Sequence, residues 1–68
     1  MVTEVKKLGK YIITRWDGPS HLEARAYKDG QLIKTLEIPF LATSRKTSAA
    51  WVKTKQDMIT WLNKLENE

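Results

Sequence analysis

Lys28-Asp29-Gly30 constrains this chain more than any other stretch. An Asp-Gly step between two alternating segments marks a hairpin turn, and a hairpin turn dictates how its flanking strands pair. The surrounding run is HLEARAYKDGQLIKTLEIPF, residues 21–40. Read as a three-residue loop with Gly30 at positive φ, it pairs Tyr27 with Gln31. Counting outward, Ala26 faces Leu32, Ala24 faces Lys34 and Leu22 faces Leu36 on one side of the sheet. On the other side Arg25 meets Ile33, Glu23 meets Thr35 and His21 meets Glu37. A two-residue loop would set Arg25 against Lys34 and Leu22 against Glu37, losing both charge pairing and alternation, so the longer loop is expected. Lys34 interrupts the apolar even-numbered face. An inward lysine on an edge strand deters pairing with other sheets while its stem reaches water.

The segment before this hairpin, KYIITRW after Gly9, is rich in β-branched and aromatic residues, and DGPS after it is a turn signal. If Asp17 pairs with His21, then Trp16 faces Leu22, Thr14 faces Ala24 and Ile12 faces Ala26 on the same inner side. Arg15 then opposes Glu23, Tyr11 lies beside Tyr27 and Ile13 beside Arg25 on the outer side. Residues 1–9 are polar with a small Lys6-Lys7 cluster and read as a frayed arm. Pro39 ends the third strand. Residues 41–47 read as a basic Ser/Thr-rich linker, with Thr47 or Ser48 capping a helix over 48–66. Trp51, Val52, Lys55, Met58, Ile59, Trp61, Leu62 and Leu65 form its stripe. A competing reading makes SAAWV a short fourth strand and starts the helix at Thr54. The expected fold is α+β in a single domain over 1–68. A three-stranded antiparallel meander over 10–40 packs on one C-terminal amphipathic helix (β-β-β-α), with Trp16, Trp51 and Trp61 in the core.

Composition limits the chemistry. Sixty-eight residues make one small domain, which buries only roughly 60% of its extended-chain surface and has no cysteine to staple it. One histidine and no cysteine supply neither a zinc site nor a nucleophile–base pair, and three isolated glycines make no phosphate loop. His21 beside Glu37 reads as a cross-strand contact. An enzyme is therefore not expected, nor a cofactor or metal. No apolar run approaches the roughly 18 residues of a membrane span, and no signal segment opens the chain, so a cytoplasmic protein without a membrane partner is expected.

The formal charge is +4. Ile38 to Gln56 contains no acid but holds Arg45, Lys46, Lys53 and Lys55. Together with Tyr11, Arg15, Arg25 and Tyr27 on the outer sheet face, these residues suggest nucleic-acid binding. The arginines would contact phosphate or bases and the tyrosines would stack, while Arg45, Lys46 and Lys53 would make backbone contacts. DNA is placed ahead of RNA. The same face could instead dock a protein, as an adaptor or inhibitor would, or join a homodimer through Ile13, Ile33 and the tyrosines. Three antiparallel strands followed by a helix, over roughly residues 10 to 66, resemble the small DNA-binding domains at the amino ends of tyrosine-type integrases and in plant AP2 factors. The likeness is architectural and brings no residue roles with it.

Overall fold

Short hairpins carry the chain through a single sheet before it reaches its helix. The computed structural model describes residues 1–68: β1 (Val2–Leu8), β2 (Tyr11–Asp17), β3 (His21–Lys28), β4 (Gln31–Pro39) and α1 (Ser44–Glu66). The four strands form one antiparallel sheet in the order β1-β2-β3-β4. The class is α+β with a C-terminal helix, as expected, but the sheet has four strands and not three. No helix is long and apolar enough to cross a membrane.

The additional strand is the segment read as a frayed arm. It turns back at Gly9-Lys10, so that Leu8 pairs with Tyr11, and it bulges at Thr3 between the pairs Val2–Trp16 and Glu4–Arg15. Its sequence hides it, because two of its inward residues are Glu4 and Lys6. Glu4 is accepted there because α1 brings it donors: Trp51 Nε1 at 2.8 Å and Lys55 Nζ at 3.0 Å. The amino terminus is also tied down, since Asp17 N donates to Met1 O at 2.8 Å and the Met1 amino group to Asp17 O at 3.1 Å.

Between β2 and β3 the register is one residue away from the expected one. Asp17 pairs with Leu22, Arg15 with Ala24 and Ile13 with Ala26. A one-residue shift inverts a strand. Tyr11, Ile13 and Arg15 therefore lie beneath the helix, and Ile12, Thr14 and Trp16 face outward. Gly18 N donates to His21 O at 2.9 Å, leaving Pro19-Ser20 as the tip of the turn. The Trp16 indole folds over this turn so closely that a Cβ on Gly18 would lie 2.5 Å from the ring. Glycine lets the tryptophan sit outside.

The β3–β4 turn is the two-residue form set aside above. Lys28 pairs with Gln31, and Asp29 and Gly30 both have positive φ, +53° and +78°, as a type I′ turn requires. The apolar alternation survives because β4 carries a bulge. Leu32 pairs with Tyr27 and Lys34 with Ala26, so Ile33 is the extra residue. Beyond it Leu36 faces Ala24 and Ile38 faces Leu22. Even-numbered residues of β3, and those of β4 beyond the bulge, thus do face the core, two positions along from the expected pairing, whereas Leu32 before the bulge faces outward.

The core lies between that face and the helix. Tyr11, Ile13, Leu22, Ala24, Ala26, Ile38, Trp51, Met58 and Leu62 are buried, with Leu36, Ile59 and Trp61 packed around them. Small alanines on β3 let the helix approach, and Met58 and Leu62 fill the space above them. Thr43 caps α1: its Oγ1 accepts from Lys46 N at 3.1 Å. The helix therefore begins before Thr47 and runs unbroken through SAAWV. Buried Thr47 instead pins the entry, its hydroxyl donating to Thr43 O at 3.1 Å and accepting from Leu41 N at 3.0 Å.

Gly30→Ala is expected to lower unfolding free energy by about 1 kcal/mol, because only backbone strain at φ +78° opposes the new Cβ and nothing lies within 4 Å of it. Exposed Lys28→Ala should change it by less than about 0.5 kcal/mol. Urea midpoints at fixed slope check both.

Candidate interaction face

One helix covers one side of the sheet, and the other side is open. Across it from β1 to β4, three rows of side chains point outward: Lys7, Ile12, Tyr27 and Leu32; then Val5, Thr14, Arg25 and Thr35; then Val2, Trp16, Glu23 and Glu37. His21 lies just beyond the last row, opposite Pro39. Half of the twelve are aliphatic or aromatic. Val2, Val5 and Leu32 are about half exposed, at 53%, 56% and 49%. A polar sheet face normally meets water.

Trp16 organises the lower part of this face. The Arg25 guanidinium lies 4.9 Å from its ring centre, and the His21 ring is tilted against it at 5.5 Å. Glu23 holds both flanking groups: Arg25 Nε donates to Oε1 at 2.9 Å, and His21 Nε2 is 2.9 Å from Oε2. The His21 and Arg25 hydrogen bonds hold the Glu23 carboxyl below its ordinary value. Glu37 sits directly opposite Glu23 and has no cation beside it. Thr14 Oγ1, in the middle row, is buried without a hydrogen-bond partner.

The residues proposed from sequence for nucleic-acid contact do not share one surface. Tyr11 is buried under the end of the helix, where its hydroxyl donates to Glu66 Oε2 at 2.9 Å. Arg15 lies on the same covered side, bonded twice to Asp17 at 2.8 and 3.2 Å and 5.4 Å from the Trp51 ring. Their expected outward placement is corrected by the β2–β3 register, and so is the placement of Ile13. Arg25 and Tyr27 do face outward, half-buried, but Arg25 is neutralised by Glu23. Arg45 and Lys46 are exposed in the first helical turn, which has no acidic residue. Lys53 is exposed and paired with Asp57 at 3.2 Å. His21 meets Pro39, not Glu37. Trp16, assigned to the core beforehand, is the residue sequence reasoning missed. Its only signal was the neighbouring Gly18.

On the covered side Lys34 projects inward from β4, as expected, with its ammonium 4.7 Å from the Trp61 ring centre. Two shallow clefts flank the helix. One, of about 270 Å³, is bounded by Leu8, Tyr11, Leu62 and Glu66. The other, of about 320 Å³, lies between Arg15, Phe40 and Thr43. Nowhere do three histidine or carboxylate side chains converge as a metal site requires. No protein-family model, curated protein or solved structure matches this chain.

Four carboxylates are held below their ordinary values: Glu4 by Lys55 and Trp51, Asp17 by Arg15 and Thr3, Glu23 by His21 and Arg25, and Glu66 by Lys10 and Tyr11. In the unfolded chain they take up protons near 4.5, or 3.8 for aspartate, whereas the folded chain keeps them ionised further down. Their stabilisation is complete above those values and is lost as pH falls through the depressed ones. Melting followed from neutral pH to pH below 4 should show that loss. Glu4→Gln should shorten the acid limb and cost about 1 kcal/mol at neutral pH, an allowance that includes its partial exposure.

Proposed function

We propose that this chain is a non-catalytic protein-interaction module, acting in the cytoplasm, that docks its partner on the open sheet face. The observation that carries this reading is the make-up of the face: six apolar or aromatic side chains among twelve, with Lys7 and Arg25 balanced by Glu23 and Glu37. Such a face lacks the positive excess that drives phosphate binding. It has the Trp, Tyr and Arg that dominate protein interfaces, surrounded by aliphatic side chains that exclude water. Trp16, Arg25 and Tyr27 are its anchors. Arg25 is already oriented by Glu23 and Trp16, which reduces the entropy lost on docking.

One observation favours a second reading, nucleic-acid binding. Lys6, Lys7, Lys28, Lys34, Arg45, Lys46 and Lys64 have no acidic partner, so the net positive charge resides in unpaired cations. Here Arg45 and Lys46, with Lys53 as a further contact, would meet phosphates, and Trp16 and Tyr27 would stack bases.

Capture from a nuclease-treated extract of the source cells separates the two. The protein reading predicts a retained partner, weakened at least about 30-fold by Trp16→Ala or Tyr27→Ser and unaffected by Arg45→Ala/Lys46→Ala. It also predicts no complex with DNA or RNA at low salt. Nucleic-acid binding that falls steeply with salt and disappears in Arg45→Ala/Lys46→Ala would replace it with the second reading.

A further inference from the structure

We propose that the open sheet face binds a second copy of this chain, with the two sets of strands crossing near 90°. The proposal deepens the protein-docking reading by naming the partner. Its basis is where the charges stand. Lys7 occupies one corner of the outward grid and Glu37 the corner diagonally opposite, while Val2 and Leu32 occupy the other two. Neither Lys7 nor Glu37 has an ion-pair partner within the chain. Glu37 is in addition set directly against Glu23, whose own charge is already paired with Arg25, so Glu37 is the acid of this face left without a cation.

Two copies packed face to face are related by a two-fold axis lying between the sheets, and that axis has four natural directions. Along the strands, it lays Lys7 on Leu32 of the second copy and Glu37 on Val2. Across the strands, it lays Lys7 on Val2 and Glu37 on Leu32. Both bury charge against hydrocarbon. One diagonal sets Lys7 on Lys7 and Glu37 on Glu37. Only the remaining diagonal places Lys7 on Glu37 twice, with Leu32 on Leu32, Val2 on Val2, and Trp16 beside Val5. It also brings each lysine toward Glu23.

The grid is nearly square, about 14 Å between the outer strands and about 14 Å between the outer rows, so a right-angled crossing superposes its corners. Orthogonal packing is one of the two arrangements that stacked sheets adopt. The footprint, about 400 Å² per copy, is small beside that of permanent dimers. The dimer is therefore weak, and its population depends on concentration.

Sedimentation equilibrium across a broad concentration range tests this. The apparent mass should rise from 7.9 kDa toward twice that value. Lys7→Glu and Glu37→Lys, both at exposed positions, should each weaken association about three- to tenfold, and the combined Lys7→Glu/Glu37→Lys exchange should restore it. A mass of 7.9 kDa at every concentration overturns the dimer. So does association that neither single variant weakens, or that the exchange leaves broken. Any of these results leaves the wider docking reading standing if Trp16→Ala still abolishes capture of a different protein.

Discussion

Everything in this structure depends on which side of the sheet each strand turns toward the helix, and that is decided by residue parity at the turns. Two residues at Asp29-Gly30 would by themselves set even positions against odd ones across β3 and β4. The bulge at Ile33 adds one more, and Leu22, Ala24, Ala26, Leu36 and Ile38 come to lie together beneath Met58 and Leu62. Turn and bulge work as a pair. The turn supplies the twist a hairpin needs, and the bulge returns the apolar set to the core.

The same constraint at the other end of β3 explains the open face. Because Gly18 and His21 close the β2–β3 connection, Arg15 goes under the helix and Trp16 goes out. Each is accommodated by specific partners. Arg15 is bonded to Asp17 and lies over Trp51, so its charge remains paired at a partly buried position. Trp16 loses core burial but is flanked by Arg25 and His21. A strand holding both an arginine and a tryptophan can go either way, and here electrostatics makes the less obvious choice workable.

Much of the architecture was legible in the residues. The Asp-Gly hairpin, the strands around it, the inward Lys34 and the helix with Trp51, Met58 and Leu62 on its buried stripe all follow from periodicity and turn chemistry. Four features did not. The loop length did not, because the residue that a three-residue loop would add is supplied by the bulge at Ile33, which restores the same alternation after the two-residue Asp29-Gly30 turn. β1 lacks alternation because the helix satisfies Glu4 with polar donors where a hydrophobic neighbour would leave a pattern. The β2 register was ambiguous because Ile12 and Ile13 are adjacent, so either parity buries an isoleucine. The helix start is ambiguous in sequence because Thr43 and Thr47 are both plausible caps, and the cap is Thr43. Of the candidate site, Arg25 and Tyr27 were placed on the open face correctly. Trp16 was not, since large aromatics are ordinarily assigned to cores.

The open face and the uses proposed for it rest on the β2–β3 register, and cross-strand proton contacts measured by NMR report that register directly. Ile13 should contact Ala26 and Arg15 should contact Ala24 across the two strands. Direct pairing of Ile12 with Ala26 and Thr14 with Ala24 would return Trp16 to the core, place Arg15 in solvent and contradict the account.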